Sequence, residues 1–418
     1  SDLRVRDPGP RRLLRVRRRP ALREGAAGGG VRDARAHRPV VAVLPVHHRR
    51  VRLGAPRRRA PRGGARVLAG ALPNALTCVA SERELALKDE GMILLGSNEN
   101  PYGPSPKAIA AMTEAVKQGN RYTNVKPLIS DIAAFRNVAP ENIVLGAGSA
   151  DILGLAALAF VQRGGEVVAA TPTFFVLMDV AKRLGATLKE IPLDATLKHN
   201  LDAILNAVTA NTKIIYVCNP NNPTGTKLEA AQIRSFCEEA SKKAVVVVDE
   251  VYHDFIDDAS MIPLALSNPN VVVVRSFSKI YGLAGMRIGY GIAHADTIKK
   301  LQALQAWNGN AISAVSMAAA RASLQDTAFV RMTREKIAEG RDIVSSYLTS
   351  ASIFTVPSFA NVVYFALDKF PSGFAQKMEA ERIIIRERED AGRRFCRVSI
   401  GTPEEMRQFV SVLKTMKV

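Results

Sequence analysis

Two runs of four consecutive valines, Val245–Val248 and Val271–Val274, constrain this chain more than any other feature in it. A half-wet strand would alternate apolar and polar residues, whereas an unbroken β-branched run suits a strand covered on both faces, as in a parallel sheet sandwiched between helices. Further short runs, Ile143–Leu145, Glu166–Ala170 and Lys213–Cys218, together with the valine runs extended as Ala244–Val248 and Val271–Arg275, alternate with helical patterns. The expected architecture is therefore α/β, with a large doubly wound, mostly parallel sheet. Ser105 and Pro106 supply an N-cap and a first-turn proline for a helix closed by Gly119, with Ile109, Met112 and Val116 along its apolar face. From about Ser313 to Val418 the pattern becomes a weaker α+β one, ending in a helix opened by Thr402-Pro403 with Glu405 three residues after the cap, a capping box. A smaller domain over 313–418 is expected beside a large one over 126–312, with an N-terminal segment, 81–125, joining the small domain.

Charge is distributed unevenly. Of the 58 Lys and Arg, 20 are arginines within residues 1–70, against four of the 39 acids, so the net charge of +19 resides largely there and the rest of the chain is nearly neutral. A basic surface gripping nucleic acid is accordingly not expected on the body of the protein. Residues 1–80, rich in Arg, Gly, Ala and Pro and lacking a period of 2 or 3.6, are expected to form a disordered arm. The absence of Lys before Lys88 and the change of character near Ser81 also fit a misassigned start or an upstream frame shift. Pro73 and Asn74 argue against an export signal in that stretch. No apolar run is long enough to cross a bilayer. Cys78, Cys218, Cys237 and Cys396 lie apart, without CxxC or His partners at ligand spacing, so neither a disulfide framework nor a metal site is expected. A reducing, cytoplasmic setting follows.

The polar residues worth attention come just after the apolar strands, where ligands of such sheets bind. Gly146-Ala147-Gly148-Ser149 turns from a strand into a helix N-terminus, which offers unpaired N–H groups and a positive dipole end to an anion. Asn219-Pro220-Asn221-Asn222-Pro223-Thr224-Gly225, Asp249-Glu250-Val251-Tyr252 and Ser276-Phe277-Ser278-Lys279 follow three other strands. Singly each has a plain alternative: a tight connection, a turn, a helix cap, a surface lysine.

Together NENPYG (Asn98–Gly103), GAGS, NPNNPTG, DEVY and SFSK-x-x-GLAGMRIGY (Ser276–Tyr290) resemble, in order and spacing, the pyridoxal-phosphate aminotransferases of classes I and II. Within these the chain is most similar to the histidinol-phosphate aminotransferases, over roughly Leu85 to Val418. The resemblance implies a fold-type I enzyme whose large domain binds pyridoxal phosphate. It also implies transamination between a small-molecule amino donor, with histidinol phosphate preferred, and a 2-oxo acid such as 2-oxoglutarate. An aromatic amino acid aminotransferase or a decarboxylase of the same fold is the alternative. A nucleic-acid-binding protein acting through the arm is the rival from another class.

The resemblance also implies roles. Lys279 would hold the cofactor through its amine and move the proton at the substrate Cα, which requires an amine able to lose its proton near neutral pH. Asp249 would pair with the pyridine nitrogen and keep it protonated, so that the ring accepts electrons. Tyr252 and Asn222 would bond the ring oxygen, and Phe174 would stack on the ring, ordinary core packing being the other reading of that side chain. The phosphate would be held by the backbone of Ser149 and Ala150, the hydroxyls of Ser276 and Ser278, and the planar fork of Arg287. Tyr122 would reach the phosphate in a neighbouring subunit, which implies a homodimer. Tyr102, Arg386 and Arg397 would bind substrate, Arg397 at the carboxylate and Arg386 at a substrate phosphate. Two departures from the family pattern stand out: a short stretch between Arg121 and Ile143, and the charged run EAERIIIREREDAGRR before Phe395, which makes the spacing of Arg386 to Arg397 irregular.

Overall fold

The computed structural model describes residues 91–161, 164–306 and 311–416. The arm, Cys78 and the candidate export segment lie outside the described residues.

The strands are β1 (Ile93–Leu94), β2 (Ile143–Gly146), β3 (Glu166–Thr171), β4 (Thr187–Pro192), β5 (Thr212–Cys218), β6 (Val245–Asp249), β7 (Val271–Ser276), β8 (Gly289–Ala293), β9 (Val362–Ala366), β10 (Ile383–Ile384), β11 (Arg386–Asp390) and β12 (Arg393–Ser399). Seven of them form a sheet in the order β2-β8-β7-β6-β5-β3-β4. All neighbours pair in parallel except β8, which runs antiparallel to both β7 and β2. The valine runs sit at its centre, and their alternate residues enter different cores. Val246, Val248, Val271 and Val273 pack into one apolar cluster, while Val247, Val272 and Val274 pack into another on the opposite face. An apolar residue at every position is what a doubly covered strand requires.

Two local signals act where the sequence places them. Ser105 Oγ accepts the Ala108 N–H at 3.1 Å and caps helix Pro106–Val116. Before helix Pro403–Met416, Thr402 N–H donates to Glu405 at 2.7 Å and Glu405 N–H donates to Thr402 Oγ1 at 3.2 Å, closing the capping box. The apolar face expected on Pro106–Val116 is a correction. The helix packs on Ala314–Leu324 through the fully buried Ala108, while Ile109 and Val116 stand 50% and 62% exposed. Small residues (Ala108, with Ala319 and Ala320 buried opposite) allow close approach, so packing and not hydrophobicity selects the inner face.

A second sheet, β11-β12-β9, is antiparallel, and β1 pairs in parallel with β10. The segment after β1 is stitched to this region: Ser399 N–H donates to the Leu95 carbonyl at 2.8 Å, Asn98 N–H to Ser399 Oγ at 2.7 Å, and Asn361 Nδ2 to the Asn98 carbonyl at 3.0 Å. Among the described residues no helix is long and apolar enough to cross a membrane.

Candidate active site

The register of the large sheet assembles an anion cradle. Gly146 of β2 and Ser276 of β7 are both partners of Gly289 in the strand between them, so the GAGS turn, the Arg287–Gly289 return and the SFSK loop meet at one end of the sheet. Two glycines are needed there for close approach. A Cβ at Gly289 would stand 2.5 Å from the Ser149 backbone nitrogen, and one at Gly148, whose φ is +89°, would stand 2.5 Å from Arg287 Nη2. The Arg287 guanidinium thus lies against the N-terminus of helix Ser149–Phe160, bonded to the carbonyls of Ala284 at 2.8 Å and Ala147 at 3.3 Å. Ser276 and Ser278 are buried beside it, the Ser278 N–H donating to Ser276 Oγ at 3.0 Å. Ser149 and Ala150 are half-buried at the helix start.

Asp249, the last residue of β6, is buried on the face shared with Val247 and Tyr216. Its carboxylate accepts the Tyr216 hydroxyl at 2.9 Å and the Val251 N–H at 3.1 Å. Burial pushes its pKa up to about 6, against the pull of those two hydrogen bonds and of the Lys279 charge; the neighbouring Glu250 adds to the rise. The Lys279 amine thus lies within electrostatic reach of the Asp249 carboxylate. Lys279 is half-buried, with Nζ 3.4 Å from the Ser97 carbonyl and 5.9 Å from the centre of the Tyr252 ring. The Tyr252 hydroxyl accepts from Asn98 Nδ2 at 2.9 Å.

The NENPYG segment forms a wall over the lysine loop. Asn100 Nδ2 donates to the Ile280 carbonyl at 2.9 Å. Gly282, at φ +68°, lies so close beneath Gly103 that a Cβ would come within 2.0 Å of the Gly103 carbonyl oxygen. The NPNNPTG loop is locked by Asn221, which accepts from Thr173 Oγ1 at 2.7 Å and donates to the Pro172 carbonyl at 3.1 Å.

Arg397 is buried and joins these parts, donating to Asn222 Oδ1 at 3.1 Å and to the Gly96 carbonyl. The irregular spacing to Arg386 has a simple geometric cause. The charged run is a hairpin, β11 to β12, turning at Ala391 and Gly392 with φ of +51° and +75°, and Arg386 is the direct cross-strand partner of Arg397. The charges of the run are largely spent on ion pairs such as Arg394–Glu387 at 2.9 Å and Arg388–Asp390 at 2.8 Å.

Three candidates sit differently. Phe174 is half-buried against the apolar cluster of the Asp249 face, its ring 5.5 Å from that of Phe175. The Tyr102 hydroxyl is buried with no hydrogen-bond partner, and its pKa is raised by burial and then by the charges of Glu404, Glu339 and Glu405. Tyr122 is 91% exposed. Sequence reasoning passed over Tyr216 and Asn98 as site residues. A tyrosine inside a strand buried on both faces needs a partner for its hydroxyl, and that was the available signal.

The donor set suits pyridoxal phosphate. The glycine-lined cradle with its guanidinium and helix N-terminus takes a phosphate. A buried carboxylate takes a protonated ring nitrogen, and an amine stands within its electrostatic reach.

Known proteins agree with this geometry. A family model described as aminotransferase class I and II matches residues 90–413. The chain is 35% identical over 342 residues to a histidinol-phosphate aminotransferase of Moorella thermoacetica, covering 80% of this chain and 87% of that protein. It is 37% identical over 329 residues to an aromatic amino acid aminotransferase of Rhodococcus erythropolis, covering 78% and 90%. Among solved structures, the histidinol-phosphate aminotransferase of Sinorhizobium meliloti in complex with pyridoxal-5'-phosphate superposes with a TM-score of 0.74 at 25% identity, covering 85% of this chain and 99% of that one. With a sheet, a lysine loop and an acid-bearing strand end in this arrangement, the chain belongs to the class I and II aminotransferases.

Proposed function

We propose that this aminotransferase, using pyridoxal phosphate, moves an amino group from a phosphorylated amine, with histidinol phosphate as preferred donor, to a 2-oxo acid such as 2-oxoglutarate. The observation that carries the chemistry is a buried acid, Asp249, with the amine of Lys279 within its electrostatic reach. The choice of a phosphorylated donor is supported by the hairpin register, which sets Arg386 directly across from Arg397.

Bound pyridoxal phosphate supplies a protonated ring that accepts the electron pair left at Cα. Lys279 would hold the cofactor and then take and return the proton at Cα. Asp249 keeps the ring nitrogen protonated, its ionised form being favoured as soon as a cation meets it in that buried place. Tyr252 and Asn222 would bond the ring oxygen, and Phe174 would stack on the ring. The phosphate is held by the N–H groups of Ser149 and Ala150, the hydroxyls of Ser276 and Ser278, and Arg287. Arg397 takes the carboxylate of the 2-oxo acid and Arg386 the phosphate of the donor, with Tyr102 on the same wall. Tyr122, so exposed in its own chain, is assigned to the site of a second copy, which makes the working unit a homodimer. The assignment goes with a division into a cofactor-binding part (126–312) and a smaller part (313–418) joined by 81–125, and with a cytoplasmic location.

The test is a donor screen. Purified protein is titrated with histidinol phosphate, phenylalanine and tyrosine, and the loss of the visible absorbance of the bound cofactor is followed. Conversion by histidinol phosphate at least tenfold more efficient than by the aromatic amino acids supports the proposal. The reverse order assigns the chain to aromatic amino acids, in line with its likeness to the Rhodococcus enzyme.

A further inference from the structure

Behind the strand ends lies a cluster of charges that the proposed chemistry does not use. Among the described residues Arg275 is the largest of the fully buried side chains. It alternates with Val274 and so projects from the face of the sheet opposite to Asp249, among Tyr281 and Tyr290. Its Nη2 is 2.6 Å from Glu250 Oε2, both side chains being 2% exposed, and its Nη1 is 3.0 Å from Asp254 Oδ1. Glu250 is held in turn by the Ser260 hydroxyl at 2.6 Å and the Met261 N–H at 2.7 Å. Asp254 is held by Arg136 at 2.9 Å, whose Nε donates to the Tyr290 hydroxyl at 2.8 Å, and the Asp254 carbonyl accepts from Arg334 at 2.7 Å.

The placement of these groups along the chain matters more than their number. Arg275 immediately precedes Ser276–Lys279, and its two acids, Glu250 and Asp254, bracket the stretch that runs from beside Asp249 through Tyr252. One rigid fork thus ties the segment carrying the acid and the phenol to the segment carrying the amine, from behind the sheet. Stability alone is a poor reason for such a cluster, because well-packed apolar residues of similar volume stabilise a core at least as well. A fork does supply a fixed distance between two loops, and a displacement of about 1 Å between reacting groups can cost about a hundredfold in rate. Burial raises the pKa of Asp249 and the charge of Glu250 adds a little to it; Glu250 itself is drawn onto Arg275 on the opposite face of the sheet.

Resting on the function proposed above, we infer that Arg275 is a positioning residue: by gripping Glu250 and Asp254 it holds the Asp249–Tyr252 turn in register with the Lys279 loop. The test is Arg275→Lys, which keeps a charge but loses the two-point grip, compared with Glu250→Gln, which keeps the shape. The expected result for Arg275→Lys is a kcat lowered about tenfold or more with the donor KM within about twofold. Hydrogen exchange in the cofactor-free full chain should quicken at 249–255 and 276–282 and stay unchanged in helix Pro403–Met416. Glu250→Gln should show the same pattern, more weakly. Wild-type kcat and wild-type exchange in folded Arg275→Lys overturn the inference, as does faster exchange spread evenly over the chain, the mark of a purely structural anchor. Where Arg275→Lys does not fold, Glu250→Gln is judged by the same two outcomes. Lys279→Ala run alongside separates the two proposals: retained transamination in that variant sinks the proposed function, while the exchange of the cofactor-free chain still decides on Arg275.

Discussion

The ends of the large parallel sheet and the small antiparallel hairpin contribute to the same site in opposite ways. On the sheet, every group assigned to the cofactor except Tyr122 lies within a few residues of a strand end, and the β2-β8-β7 register alone brings the GAGS turn, Gly289 and Ser276 together. In the hairpin, Arg397 reaches a carbonyl 301 residues away, at Gly96, and an amide 175 residues away, at Asn222. On the function proposed above, common chemistry is built locally on a rigid support, whereas the choice of substrate falls to a hairpin of the three-stranded sheet that takes its partners from distant segments. The motifs match the family pattern closely in the first region, and the sequence is most irregular in the second.

That contrast can be broken by experiment. Lys279→Ala should lower transamination by at least about a thousandfold with every donor while leaving the unfolding transition intact; single-turnover absorbance with each donor is the measurement. Arg386→Gln should act selectively, costing about ten- to a hundredfold in kcat/KM for histidinol phosphate and little for phenylalanine, as expected for one charged hydrogen bond. Equal losses for both donors would erase the distinction between the regions.

The acid offers a finer test. Because burial raises Asp249 from 3.8 to about 6, the folded cofactor-free protein binds this proton more tightly than the unfolded chain does. Its contribution to stability therefore falls as the pH rises between those values. Asp249→Asn lacks this titration, so the urea midpoint of wild type should be close to that of the variant at the acid end of the window and fall below it as the pH rises. Tyr216→Phe removes a donor that favours the ionised form, so the acid limb of the activity profile should move to higher pH. Smaller still, Tyr122→Phe should weaken cofactor binding by a few-fold, and only in a dimer. Deleting residues 1–80 should leave turnover unchanged; a loss of function there with Lys279→Ala still active would transfer the work to the arm.

Much of the sheet was legible because each valine run states its environment residue by residue, and the observed strands extend the expected ones by a residue or so at their polar ends. Contacts between elements were less so. The Tyr216–Asp249 bond spans 33 residues and the Arg275–Glu250 pair bridges adjacent strands, so neither leaves a local spacing to notice. Ile109 and Val116 were misread because periodicity reports which residues share a face and not which face meets a neighbour. The arginine pair was hidden by its turn: counting along the chain gives an odd interval, while folding at Ala391-Gly392 makes the two residues neighbours.

Gly282 and Gly103 touch backbone to backbone, with no room for even a methyl group between them. Any side chain at position 282 would have to push the Gly103 loop away, so the contact holds the wall and the lysine loop at a backbone-to-backbone distance. Within the hairpin the exposed turn at Ala391 and Gly392 is the place where length can change, whereas Arg397, buried on Asn222 and Gly96 one residue from the carbonyl that Lys279 meets, is not.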